Sequence, residues 1–197
     1  GQPKGTAMPH RALANLLAWH AAREAGAPPV TLQFASIGFD VAFQEIFTTL
    51  AAGGRLVMIE ETARFDPARL RAVLREQRVS RLFLPNAALR MLAEASQQNS
   101  ADAWPDTVRE IITAGDQLKI TPAVIHLLRR FDGCVLENHY GPTETHVVTA
   151  YRLEGDPAQW PALPAIGRPL PGVRAYVLDG EGRPAPVGVP GELAIGG

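Results

Sequence analysis

Short apolar runs in this chain alternate with longer stretches in which Leu, Val and Ala recur every three or four positions. After Pro9, the residues Leu13, Leu16, Leu17 and Ala21 fall at helical spacing. Residues 31–35 predict a strand, residues 41–50 a helix stopped by Gly53 and Gly54, and residues 55–59 a second strand. Asp66 and Pro67 form a helix start, with Leu70, Val73 and Leu74 on one face and Arg69, Arg71, Arg75 and Glu76 largely on the others. Thr121 and Pro122 repeat that start before Val124, Leu127 and Leu128. Residues 81–84, 108–113 and 134–137 are apolar and strand-like. Such alternation predicts an α/β fold, a parallel-sheet core covered by helices. After about Pro161 the texture changes to Pro and Gly with short strands at 174–178 and in GELAI, joined through a turn at 179–182. The expected organisation is an α/β core over residues 1–160 and the start of a β-rich subdomain over 161–197. Residues 25–29 and the polar run around 97–100 are expected as surface loops.

Composition narrows the function only by exclusion. With Lys plus Arg at 19, Asp plus Glu at 20 and a net charge of −1, there is no electrostatic case for nucleic acid or an anionic membrane surface. No apolar stretch approaches the ~20 residues a spanning helix needs, so a cytoplasmic protein is expected. The single cysteine, Cys134, rules out an internal disulfide or a cysteine-based zinc site, and its place at the head of an apolar run suits a buried thiol.

Chemistry concentrates in the nine residues NHYGPTETH, Asn138 to His146. Tyr140 offers a flat ring that can lie against a purine, and Asn138 an amide that can pair with the edge of a base. Gly141 and Pro142 make a turn, the glycine by permitting a backbone angle that other residues avoid. The turn presents Thr143 and Glu144. A hydroxyl can bond a phosphate oxygen while the neighbouring carboxylate ligates Mg²⁺, a hard cation that prefers oxygen. In an open parallel sheet these groups are expected beyond the carboxyl ends of strands, where such sheets bind ligands.

NHYGPTE resembles the adenine and magnesium motif of adenylate-forming enzymes, specifically the amino-acid-activating adenylation domains of nonribosomal peptide synthetases. Other segments agree in the family's order. GQPKG at the start is similar to the end of its Gly, Ser and Thr-rich phosphate loop. Phe39 and Asp40 in SIGFDVAFQEIF match its substrate-binding motif, EIITAGD the strand end beside its amino-acid pocket, and GELAIGG the opening of a later motif. The resemblance spans all 197 residues. It implies ATP and Mg²⁺ as cofactors and a fragment of the large N-terminal subdomain. The family's catalytic lysine and C-terminal subdomain would lie beyond Gly197, and the isolated piece is expected to be inactive.

The resemblance also implies roles residue by residue. Lys4 would steady the β- and γ-phosphates, Thr143 would bond phosphate, Glu144 would hold the metal, and Gly115 would let the backbone approach the ligand. Asp40 would bind the α-ammonium of an amino acid, although an aspartate there could equally cap the following helix. Phe39 would line the tunnel or abut the acyl phosphate. The pocket positions are Asp40, Val41, Gln44, Phe83, Ile112, Ala114, His139, Val147 and Val148, a set similar to that of L-proline-activating domains. Val41, Ile112, Val147 and Val148 would form aliphatic walls, while Gln44 and His139 narrow the pocket and bond one another. The implied reaction gives an aminoacyl-adenylate and pyrophosphate, followed by transfer to phosphopantetheine on a carrier domain. The implied partners are the carrier, condensation and C-terminal adenylation subdomains of the same synthetase. An acyl- or aryl-CoA ligase of the same superfamily and a noncatalytic nucleotide-binding module remain alternatives, the first opposed by Asp40.

Overall fold

A computed structural model describes residues 5–24, 26–98 and 103–197. Helix α1, His10–Ala21, precedes strand β1, Val30–Gln33, which is followed by α2, Val41–Ala51, and β2, Arg55–Met58. A short 3₁₀ turn over Glu61–Phe65 leads to α3, Pro67–Glu76, then β3, Arg81–Phe83, α4, Asn86–Gln98, and β4, Glu110–Thr113. Helix α5, Pro122–Leu128, leads into β5, Val135–Tyr140, then β6, Thr149–Leu153, and β7, Arg168–Pro169. Strands β8, Arg174–Leu178, and β9, Glu192–Gly196, pair with each other in a separate two-stranded sheet.

The predicted helix starts form for the expected reason. Asp66 accepts hydrogen bonds from the backbone of Ala68 and Arg69, and Thr121 accepts one from Val124, with a proline first in each helix. Helix α4 is an addition to the expected elements, although Ala88, Leu89, Leu92, Ala93 and Ser96 are buried at helical spacing along it. It carries the expected loop at 97–100 into helix as far as Gln98.

Seven strands form the main sheet in the order β2-β1-β3-β4-β5-β6-β7. The first five are parallel, but β6 pairs antiparallel with β5 and β7 antiparallel with β6, so the sheet is mixed rather than purely parallel. Strand β6 pairs with β5 from Leu136↔Leu153 to Tyr140↔Thr149 and thereby extends β5 beyond the expected end at 137. The first residues of NHYGPTETH are therefore strand, and the loop begins only after Tyr140.

The connection β1 to β2 steps one way across the sheet, and every later parallel connection steps the other way. Right-handed crossovers then put α2 on one face and α3, α4 and α5 on the other. Helix contacts agree, since α1 packs with α2, and α4 packs with both α3 and α5. The reversal falls between β1 and β3, and open sheets of this kind bind ligands beyond the carboxyl ends of the strands at such a reversal.

The two faces differ in chemistry. Val57, Leu32, Leu82, Ile111, Leu136 and Leu153 lie in register as an unbroken apolar row, all buried in the core with Leu70, Leu74, Leu89 and Leu127. One residue along, the other face presents Thr31, Gln33, Arg81 and Glu137 towards α1 and α2, and all four are buried. Thr49 donates to Thr31, Gln33 donates to Glu45, and Arg81 donates to Glu24 and Glu110. Glu137 in turn accepts from Arg23, Arg152 and His139.

Candidate functional site

Backbone geometry sets the loop that carries the candidate nucleotide-binding residues. Beyond β5, the Val148 amide donates to the Tyr140 carbonyl across 2.8 Å and the Thr145 amide donates to the Pro142 carbonyl across 3.0 Å, closing a tight loop. Gly141 is needed for space and not for its backbone angle, which corrects the reading of the turn: a Cβ there would lie 1.7 Å from the His146 carbonyl oxygen. The residue with an unusual angle is His146, at φ 59°.

Thr143 and Glu144 sit at the crest of this loop, exposed, with no side-chain hydrogen bond or ion pair among the described residues. A bare carboxylate suits a cation that keeps waters and phosphate oxygens in its shell. No group of three His, Cys, Asp or Glu side chains that could hold a metal ion comes together among the described residues. Tyr140 leaves its ring exposed at the end of β5. Asn138, two residues earlier on the same side of the strand, is buried, and its Nδ2 donates to the Ala165 carbonyl across 3.0 Å, which ties β5 to the segment after β6. Gly115, with φ 92°, has open space around its Cα after β4. Lys4 lies outside the described residues.

A second set of candidates gathers on the α1 and α2 side of the sheet. Phe83 and Ile112 pair in register on β3 and β4, with Glu137 next on β5, so the first two are neighbours on one face. Ala114 follows on the same side of its strand, partly exposed, and His139 follows Glu137 on β5. Asp40 and Gln44 are one turn apart at the start of α2, and Val41 lies between them, half-buried. Val148 is buried and Val147 is half-buried. Phe39 is 67% exposed just ahead of the helix. The structure thus brings the ends of β3, β4, β5 and the first turn of α2 to the same side of the sheet.

Asp40 combines two features. Its Oδ1 accepts from the neighbouring Val41 amide at 2.7 Å, yet its own backbone is helical, and the carboxylate remains partly exposed. Its carbonyl oxygen accepts from His146 Nε2 at 3.0 Å. The other ring nitrogen of His146, Nδ1, accepts from the Val147 amide at 2.8 Å, so the ring is the neutral tautomer with its hydrogen on Nε2. Burial holds the His146 pKa below the usual value, against a raising influence from Asp40.

Gln44 and His139, expected to bond, are 3.2 Å apart, Gln44 Nε2 to His139 Nδ1. The chain of polar groups continues beyond them to residues that the sequence did not flag. Gln44 Nε2 also lies 2.8 Å from His20 Nε2, and His139 Nε2 lies 2.9 Å from Glu137 Oε2. Burial raises the Glu137 pKa, but hydrogen bonds from His139 and Arg23 and the charge of Arg23 outweigh it and hold the carboxyl well below the usual range. Glu45 was missed as well: buried beneath α2, it accepts from the amides of Phe34 and Ala35 and from Gln33, and so braces the chain leaving β1. Burial pushes its pKa up to about 7 against those hydrogen bonds. The available signal was a carboxylate inside an otherwise apolar helix stretch. Cys134 is buried, with its thiol pushed up to about 12, and is inert as a nucleophile.

Comparison with known proteins gives a consistent result. The family model described as AMP-binding enzyme matches residues 1–197. The chain is 41% identical to a plipastatin synthase of Bacillus subtilis (strain 168) and 40% identical to Tyrocidine synthase 2 of Brevibacillus parabrevis, each match covering 100% of this chain and 5% of the relative. It therefore spans about one twentieth of the length of those relatives. Two crystal structures of a nonribosomal peptide synthetase, FmoA3, one in an AMPPNP-bound form, superpose with TM-scores of 0.87 and 0.86 at 25% and 26% identity. Each covers 99% of this chain and 21% of that one. No described helix is long and apolar enough to cross a membrane. The chain belongs to the AMP-binding enzyme family, among the adenylation domains of nonribosomal peptide synthetases.

Proposed function

We propose that this chain forms part of the site at which an amino acid, with L-proline preferred, is activated by MgATP to an aminoacyl-adenylate and pyrophosphate. The supporting observation is the hydrogen bond from His146 to Asp40, which joins the Thr143–Glu144 loop to the first turn of α2, the two segments that would each hold one substrate. In the reaction an amino-acid carboxylate oxygen forms a bond to the α-phosphorus while the bond to the bridging oxygen of the pyrophosphate leaving group breaks. Mg²⁺, when bound, supplies charge neutralisation for the phosphates.

The chain's own residues orient the reactants. Thr143 donates to phosphate, Glu144 ligates the metal, and Tyr140 stacks on the adenine. Lys4 holds the outer phosphates. Asp40 pairs with the α-ammonium, a charge-assisted contact that an acyl-CoA ligase has no use for. Phe39 and Gly115 flank the path of the substrate, and Val41, Phe83, Ile112, Ala114, Val147 and Val148 enclose a compact apolar side chain. Asn138 acts through the backbone it holds. The aminoacyl group then passes to a phosphopantetheine thiol on a carrier domain, in an assembly of the relatives' size, with condensation and C-terminal adenylation subdomains as further partners.

The test is amino-acid-dependent ATP–pyrophosphate exchange by the full-length protein, screened over the proteinogenic amino acids and cyclic imino acids. Proline is expected to give the highest kcat/KM. Preference for another amino acid would refute the proline assignment, and exchange dependent only on acyl or aryl acids would refute amino-acid activation.

A further inference from the structure

Behind the candidate pocket runs a continuous buried hydrogen-bonded chain from Glu137 through His139 and Gln44 to His20. Glu137 Oε1 accepts from Arg23 and, at 2.9 Å, from Arg152 Nη1. Its Oε2 accepts from Arg23 Nη1 at 3.2 Å and from His139 Nε2 at 2.9 Å. An ionised carboxylate only accepts, so His139 carries a hydrogen on Nε2 and turns Nδ1 towards Gln44. Gln44 Nε2 lies against His139 Nδ1 and His20 Nε2, at 3.2 Å and 2.8 Å. An amide nitrogen only donates, so it gives one hydrogen to each ring.

The same geometry shows what restrains the amide. Gln44 is fully buried, and its Oε1 has no hydrogen-bond partner among the described residues, so its contacts to the two imidazoles orient the amide. His20 is held edge-on against Trp19, whose ring also packs on His139. Burial first, and then the nearness of His139 and Arg81, push the His20 pKa down to about 3, in keeping with a neutral acceptor ring. The Gln44 amide nitrogen and both nitrogens of His139 are thereby engaged within the protein.

We propose that His20 and Glu137 are specificity-positioning residues: acting through the Gln44 amide and the His139 ring, they set the depth of the amino-acid pocket and keep its floor apolar. The proposal rests on the amino-acid-activation reading given above. Loss of the His20 acceptor removes half of the restraint on the amide, and loss of the Glu137 charge frees the His139 ring to change tautomer. In either case the floor loosens and a larger side chain can enter.

The experiment compares the full-length protein with its His20→Leu, His20→Gln and Glu137→Gln variants in pyrophosphate exchange. The preferred amino acid is set against its homologue one methylene larger, and KM and kcat are measured separately for amino acid and ATP. His20→Leu and Glu137→Gln are expected to raise the KM for the preferred amino acid and to cut discrimination against the larger homologue about tenfold, the scale of one methylene in an apolar pocket. The KM for ATP should stay unchanged, and His20→Gln, which retains an acceptor, should restore discrimination. Unchanged discrimination, or a uniform fall in kcat for every amino acid, would overturn the proposal while leaving amino-acid activation standing. Should His20→Leu not fold, the isosteric Glu137→Gln carries the same expectation. Exchange by the wild type with no amino acid at all would defeat both readings together.

Discussion

His146 donates its Nε2 hydrogen to the backbone carbonyl of Asp40 across 3.0 Å, linking two residues 106 positions apart in the chain. The ring is buried, and the Val147 amide fixes its tautomer, so the donor has no freedom to turn away. This contact makes the loop after β5 and the first turn of α2 one unit. In the full-length protein, His146→Ala should raise the amino-acid KM about fivefold, the effect of one buried hydrogen bond worth about 1 kcal/mol. Steady-state pyrophosphate exchange with the amino acid varied at saturating ATP checks this, and an unaltered KM would mean that the contact is idle.

Gly141 and Gly115 are glycines for different reasons, and their alanine variants should separate those reasons. At Gly141 the added methyl would meet the His146 carbonyl, which is backbone and cannot yield without moving the loop. Gly141→Ala is therefore expected to cost about 1–3 kcal/mol of stability and to raise the KM for ATP. Gly115→Ala meets no neighbour but places alanine at φ 92°, at a cost of about 1–2 kcal/mol through conformation alone. Denaturant melts of both variants, with ATP KM values beside them, would read the difference.

Glu144 lies exposed with no partner among the described residues, so its replacement should not touch the fold. Glu144→Gln should leave the unfolding midpoint within about 0.5 kcal/mol of wild type. It should raise the Mg²⁺ concentration needed for half-maximal exchange, because a neutral amide is a poorer ligand than a carboxylate. A variant with normal Mg²⁺ dependence of exchange would mean that Glu144 does not hold the metal, whereas ATP binding that survives the change with no Mg²⁺ dependence would point to a noncatalytic nucleotide module.

Stability should respond to pH through two buried groups of opposite sign. His20 has its pKa lowered from 6.5 to about 3, so the unfolded chain takes up a proton that the folded chain refuses. Its contribution is complete above about 6.5 and is lost as the pH falls towards 3, by at most about 1.4 kcal/mol per pH unit. Glu45 has its pKa raised from 4.5 to about 7, so the folded chain holds a proton that the unfolded chain releases. Its contribution is complete below about 4.5 and is lost as the pH rises through 7. Urea midpoints between pH 5 and 8 should fall more steeply on acidification in Glu45→Gln than in wild type, and less steeply in His20→Gln. Parallel pH profiles for all three proteins would refute the assignment.

Local chemistry written along the chain determined the helices with strong starts, because Asp66–Pro67 and Thr121–Pro122 carry their caps beside them. It likewise marked the strands β1 to β4 and the NHYGPTETH motif, and motif order alone was enough to indicate the family, which the full-length family match bears out. Helix α4 is legible in the spacing of Ala88, Leu89, Leu92 and Ala93, but it has no cap of the Asp-Pro or Thr-Pro kind to announce it.

Only the tertiary structure decided which strand neighbours which, and with it the reversal between β1 and β3 and the antiparallel end of the sheet. A strand's own residues do not encode its neighbour, since that choice depends on crossover direction and on the pairing of distant segments. The face on which Glu137 lies, buried with His139, Gln44 and His20, followed from register and not from any local pattern. In the sequence these are four scattered polar residues. In the fold, the absence of water forces each to find a partner, and the partners available come from α1, α2 and β5 at once.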